Sequence, residues 1–289
     1  MMEARGLRGL IAPSLVAFAL AGCGGGAEEA APAEGGGAAA ATVEHPVDAA
    51  TAGNVSGTVK FTGTAPAPVK IDMSDEAVCA TGQGANAVKH SVVVGPDGSL
   101  ANVFVYVKSG LDAALVFPAG AGQTLDQHNC EYTPHVIGLG AGEQLTVKNS
   151  DAVLHNINAT PTTNRGFNRS QPNAGMEFQT TFAAAEVMIP VRCDVHGWME
   201  AFVGVTSNPY HAVTAEAGTF NLDRLPPGTY EIEAWHEIYG TQTQSVTVAT
   251  GQTAEVTFTF DASMAGRPVP MGPALVIDHH TSSARRVSQ

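Results

Sequence analysis

The chain has 289 residues, 32 of them glycine, with 14% charged residues and a formal net charge of −13 at pH 7. That length admits one or two domains, and the excess of acid argues against nucleic acid or an anionic membrane surface as an electrostatic partner. An acidic surface speeds encounter with a basic protein but does not identify one.

At the N-terminus, Arg5 and Arg8 precede an apolar run over residues 10–20. The run is too short to span a bilayer as a mature helix and reads as an export signal. It ends in Leu20-Ala21-Gly22-Cys23, which resembles the lipobox of bacterial lipoproteins. The resemblance implies removal of residues 1–22 and lipidation of Cys23, which places the chain in the cell envelope, periplasm-facing or extracellular and anchored to a membrane. Two or more acyl chains suffice for such anchorage. The alternative is an ordinary cleaved signal with an incidental cysteine. Residues 23–52 are mostly Gly, Ala, Glu and Pro with almost no large apolar side chains, and read as a flexible tether.

Strand signals follow at 56–62, 91–94, 103–108, 144–148, 187–192, 201–205, 230–235, 244–248 and 254–260, separated by turns such as Pro96-Asp97-Gly98. They are rich in β-branched and aromatic residues, often alternate, and meet no competing helical stripe, so an all-β chain built of β-sandwiches is expected.

The chemistry concentrates at Cys193, His196 and Met199, with His155 38 residues before the cysteine. A thiolate, two imidazoles and a thioether are the ligand set of a mononuclear type 1 copper site, His₂Cys with a weak axial Met. The strand at 187–192 leads into Cys193 and the one at 201–205 leaves after Met199, so three ligands share one loop between strands. His155 lies just past the strand at 144–148. Zinc is the competing metal, but it favours several Cys and binds thioether poorly. A catalytic Cys–His pair needs no Met at this spacing. A binuclear copper centre lacks its second loop cysteine, and no enzyme is expected.

Four cysteines are present: Cys23, Cys79, Cys130 and Cys193. With lipid on the first and a metal on the last, Cys79 and Cys130 remain, and outside the cytoplasm such a pair tends to oxidise. A disulfide is expected, the alternative being two buried thiols that never meet. His128 and His135 flank Cys130 and could suggest a second metal site; a disulfide at Cys130 argues against it. His211 and His236, beside Tyr210 and Trp235, read as packing or surface groups.

The C-x-x-H-x-x-M spacing resembles the cupredoxins, amicyanin in particular, and the upstream N-x-x-A-x-x-H-N element is matched by Asn149, Ala152, His155 and Asn156. The resemblance covers roughly residues 88–206. It implies a Greek-key β-sandwich, copper ligation by His155, Cys193, His196 and Met199, and an Asn156 whose hydrogen bonds brace the two ligand loops. It also implies an electron port at the His196 ring edge, inside an apolar patch that includes Trp198. Gly197-Trp198 stand where amicyanin has Pro-Phe, so the redox partner is not inherited.

After Asn208-Pro209, the stretch from Phe220 to Tyr230 with its Leu225-Pro-Pro-Gly228 turn resembles the carboxypeptidase regulatory-like, transthyretin-like β-sandwich, a small non-catalytic module. The strand at 55–66 suits either a similar sandwich or an added strand of the copper domain. The expected organisation is signal 1–22, tether 23–52, cupredoxin-like domain with an N-terminal β extension 53–207, regulatory-like sandwich 208–260 and disordered tail 261–289. His279-His280 in that tail read as incidental. The expected function is a lipid-anchored copper protein carrying single electrons between redox proteins of the envelope. The alternatives are a copper-handling protein or a scaffold.

Overall fold

The computed structural model describes residues 46–83 and 87–266. The export signal, Cys23, the tether up to residue 45 and the tail with His279-His280 lie outside the described residues. Among the described residues no helix is long and apolar enough to cross a membrane.

The chain is all-β. Strand β1 (Gly53–Thr62) alternates buried and half-exposed positions and turns Val55, Val59 and Phe61 inward, the period-2 pattern of a sheet with one buried face. It pairs antiparallel with β13 (Thr219–Leu225) and in parallel with β16 (Thr253–Asp261). Strand β2 (Phe104–Ser109) lies between β12 (His211–Val213) and β14 (Gly228–His236), with β15 (Gly240–Val248) outermost. The two sheets share a core that includes Val59, Leu100, Leu222, Ile232, Phe258 and Phe260. Tyr230 is buried, and its hydroxyl donates back to the Pro226 carbonyl four residues upstream.

The second sandwich comes from the middle of the chain. One sheet has the order β4 (Glu131–Thr133), β3 (Gln123–His128), β6 (Gln144–Asn149), β9 (Glu177–Thr181). The other runs β5 (Val136–Gly140), β11 (Glu200–Thr206), β10 (Glu186–Arg192), β7 (His155–Ala159), β8 (Phe167–Gln171). Leu125, Leu145, Val147, Ile157, Ile189 and Val203 are among its buried core.

These pairings differ from the linear division at residue 208. The sandwich of β3–β11 is inserted between β2 and β12, and both β1 and β2 belong with the C-terminal strands. Alternation along a strand marks its buried face but not its partner, so the strand at 55–66 could not be placed from sequence. The run at 91–94 forms no strand, only the isolated bridge between Val94 and Leu100, although Val92 and Val94 pack against the core of the C-terminal sandwich. The only α-helix among the described residues is the short α1 (Ala77–Gln83).

The sandwiches meet at a small buried cluster of Phe104, Val136, Met188, Phe202 and Trp235. Gly138 and Gly204 are register partners on β5 and β11. A Cβ on Gly204 would lie 2.6 Å from the Phe104 ring and 2.8 Å from Met188 Sδ, and one on Gly138 2.8 Å from the same ring. The glycine pair thus forms the notch that seats Phe104. Gly204→Val should overfill it and lower unfolding free energy by about 1–3 kcal/mol, read as a reduced urea midpoint.

Candidate metal centre

Strands β7 and β10 are antiparallel neighbours, pairing Ala159 with Val191 and Asn158 with Arg192. The start of β7 therefore lies beside the end of β10. His155 is the first residue of β7, and Cys193 directly follows β10. The loop 193–199 is closed by its own backbone: the Cys193 N–H donates to the Met199 carbonyl (3.2 Å), and the Met199 N–H to the His196 carbonyl (2.9 Å). The His196 N–H also points at Cys193 Sγ (3.3 Å).

This brings the expected ligands together. His155 Nδ1 and His196 Nδ1 face each other at 2.9 Å, and Cys193 Sγ is 3.9 Å from His196 Nδ1. Ligand atoms of His155, Cys193 and His196 all lie within 4.8 Å of one another. The four residues are 0%, 3%, 3% and 1% exposed in the order His155, Cys193, His196, Met199. Met199 packs in the same core cluster as Cys193.

Two carboxylates hold the ligands from behind. Asp151 Oδ2 accepts the Nε2–H of His155 at 2.9 Å, which leaves His155 Nδ1 as the lone-pair nitrogen. The same carboxylate accepts the backbone N–H groups of Asn129 and Cys130, each at 2.8 Å. Those residues form the β3–β4 turn and both have positive φ, 55° and 58°, the conformation of a type I′ hairpin turn. Asn149, buried between the strands, accepts the Asp151 N–H and donates to the Val153 and Gln171 carbonyls, fixing the loop that carries Asp151.

The second carboxylate is Asp194. It accepts from the side-chain amides of Asn156 (3.0 Å), Asn158 (3.1 Å) and Asn168 (2.7 Å). Partial burial alone would raise its pKa, but these donors outweigh that and hold the carboxyl below the usual range. Asn156 Oδ1 accepts the Asp194 N–H (2.7 Å) and the Cys193 thiol (3.4 Å), so Asn156 links the two ligand segments. Tyr132, whose hydroxyl donates to the Asn156 carbonyl, is pushed well above the ordinary phenol range by burial, with Cys193 and Asp194 adding to it. Burial also lowers the pKa of His196; the neighbouring His155 reinforces this, while Glu76 and Asp151 oppose it. The outcome is a neutral imidazole at neutral pH.

His196 does not reach the surface as an electron port. It is 3% exposed, and its Nε2 faces Cys79 Sγ at 4.0 Å. Cys79 is disulfide-bonded to Cys130, as the cysteine count implied. Sequence spacing could not show that the bridge lies over the imidazole, because α1 carries no ligand and its place is set by tertiary contacts. Trp198 is half-buried, its ring centroid 5.1 Å from that of His196, and its Nε1–H donates to the Cys130 carbonyl at 3.0 Å. Of the expected port pair, only Trp198 offers a partly open edge.

His128 and His135 are separate from the ligand cluster. His128 Nδ1 lies 3.8 Å from Asp151, and His135 pairs with Glu237 and the Glu200 carbonyl. His211 contacts Thr206 and the Phe104 ring, while His236 is buried against Tyr239. Asp151, Asp194, Asn158 and Asn168 were not among the residues expected from sequence. The available signals were Asp194 directly after Cys193 and Asp151 shortly before His155.

Residues 200–261 match the carboxypeptidase regulatory-like domain. The match begins in β11, within the inserted sandwich, and continues through β16, while β1 and β2, which complete the C-terminal sandwich, lie outside it. No curated protein matches the chain. Among solved structures, a methionine-to-alanine mutant of amicyanin in its Cu(I) form is similar at 20% identity over 35% of this chain and 98% of that one, with a TM-score of 0.27. A purple cupredoxin from Nitrosopumilus maritimus is similar at 24% identity over 30% and 100%, TM-score 0.26. A copper-containing nitrite reductase from Thermus scotoductus is similar at 14% identity over 35% of this chain, TM-score 0.29; the aligned part spans only 26% of that enzyme.

Removing the Asn156 side chain leaves the Asp194 N–H without its acceptor and takes one donor from the Asp194 carboxylate. Asn156→Ala should therefore cost about 1–3 kcal/mol, measured by urea unfolding of the metal-free protein.

Proposed function

We propose that this chain binds one copper ion at His155, Cys193, His196 and Met199 and carries single electrons between redox proteins of the cell envelope, anchored to a membrane through a lipid on Cys23. The observation that carries this reading is the convergence of His155 Nδ1, His196 Nδ1 and Cys193 Sγ in a buried cluster. A donor set of one thiolate and two imidazoles, with a thioether on the same loop, suits copper better than zinc.

Bound copper would supply a one-electron couple. The chain's own residues do the rest. Asp151 fixes the His155 tautomer so that Nδ1 faces Cys193 and His196 without reorganisation. Asn156 and the Asp194 network hold Cys193 in place. The three donor side chains are buried and braced, so they would move little between oxidation states. Closure of the set also favours a carrier over a catalyst, since a catalytic metal keeps an open position.

Val78, Leu154 and Val195 are 42%, 40% and 48% exposed and adjoin Cys79, His155 and His196 in the chain. Such exposed apolar side chains on the segments that carry the site are candidate docking contacts for a redox partner, with the partly exposed Trp198 as the exit. The net negative charge of the chain favours a partner with a basic rim.

Copper added to the purified protein should give an intense visible thiolate-to-copper band that disappears in Cys193→Ser. Absence of the band in the parent, or its survival in the variant, overturns the assignment. Asp151→Asn should keep the band but weaken metal binding about 10–100-fold, read by competition with a chelator.

A further inference from the structure

All four expected ligands are buried, and the face of His196 turned away from them is covered by a sulfur atom. Its Nδ1 points to His155, while Nε2 lies 4.0 Å from Cys79 Sγ. Cys79 sits on α1, inside the long connection from β1 to β2, whose described residues contribute no sheet strand beyond the isolated bridges at Lys60–Ser99, Lys70–Val88 and Val94–Leu100. The bond to Cys130 adds a covalent tie to a segment that also packs Met73 and Ala87 into the core of the inserted sandwich and pairs Lys89 with Glu200. Cys130 in turn accepts from Trp198 through its carbonyl and donates to Asp151 through its N–H. One disulfide thus ties the cover to the His196 loop on one side and to the His155 support on the other.

We infer that the Cys79–Cys130 disulfide is a metal lock: it holds a cover over His196 that an ion cannot pass, while electrons leave through Trp198. The inference rests on the copper reading and separates its two variants, carrier and copper-handling protein. Electron exchange needs only contact, and the partly exposed Trp198 ring already lies against His196. Metal release needs the imidazole to swing away, and the direction it would swing is filled by Cys79. Local opening of the cover must therefore precede exchange, and a covalent tie makes that opening rarer.

The test compares the full chain with its Cys79→Ala/Cys130→Ala variant, chosen so that no freed thiol binds metal. In the copper-loaded form, transfer of copper to a Cu(I) chelator should be about tenfold or more faster in the variant, while oxidation by a small inorganic oxidant changes by less than about threefold. Equal transfer rates, with the visible band intact in both, overturn the lock. A second readout uses no metal. In the apo protein, carbethoxylation of His196, followed by peptide mass spectrometry, should be about tenfold or more faster in the variant. His155 also has Cys130 Sγ nearby, but its Nε2 stays bonded to Asp151, so its modification should rise far less than that of His196. Rapid modification of His196 in the disulfide form overturns the cover whether or not copper binds. Absence of a thiolate–copper band instead defeats the proposed function and leaves this second readout valid. Exposure of both histidines reports unfolding of the variant. In that case the unsubstituted apo protein is measured before and after reduction of the Cys79–Cys130 bond, at a reductant concentration that leaves its near-ultraviolet circular dichroism unchanged. A rise of about twofold or more in His196 modification supports the lock, and no rise overturns it.

Discussion

The parallel ladder between β1 and β16 closes the described chain. It pairs Asn54 with Thr253 and continues without interruption to Thr62 and Asp261, joining residues 199 positions apart. Closing so long a loop costs little more than closing one of half the length, because the entropy grows only with the logarithm of loop size. Its consequence is that the C-terminal sandwich cannot form from residues 208–260 alone. It needs β1 for one sheet and β2 for the other. The inserted sandwich leaves from β2 and returns to β12, and these strands are antiparallel neighbours with Tyr106 opposite His211. Ends that lie this close allow a whole domain to be inserted without disturbing its host.

Within the inserted sandwich, the candidate metal centre depends on two carboxylates placed beside the proposed ligands, Asp151 half-buried and Asp194 at the open rim. Taking a carboxylate even partly out of water is unfavourable unless donors replace the lost solvent. Asp151 finds the His155 imidazole and two backbone N–H groups, and Asp194 finds three amide side chains. In each case satisfying the acid also fixes a neighbour of the proposed ligand atoms. Rigidity at the candidate centre therefore comes from polar bonding on strands already held by a packed core.

The same network explains why the disulfide is more than a staple. Cys130 lies in a two-residue turn with left-handed backbone, a conformation unfavourable for a residue with a side chain. Asp151 stabilises it through both turn N–H groups. The bridge, the turn, Asp151 and His155 form one continuous structure, and Trp198 joins it from the other ligand loop. Cover and ligand support are thereby parts of a single mechanical unit.

From sequence alone, two-residue gaps put Cys193, His196 and Met199 on one loop, the cupredoxin resemblance proposed His155 as their partner, the alternation of apolar residues pointed to an all-β chain, and the cysteine count pointed to the Cys79–Cys130 bridge. These are local or compositional facts: a loop too short to separate its ligands, a strand's single buried face, an even number of unclaimed thiols. The tertiary structure decided what depends on distant neighbours. Strand β1 has the same pattern whichever sheet it joins, so only pairing with β16 assigned it. His196 is intrinsically as able to reach solvent as any loop histidine, and only the arrival of α1, more than a hundred residues earlier in the chain, buried it. The chemistry of the site is legible in its side chains. Whether that chemistry meets water is set by what the fold lays across it.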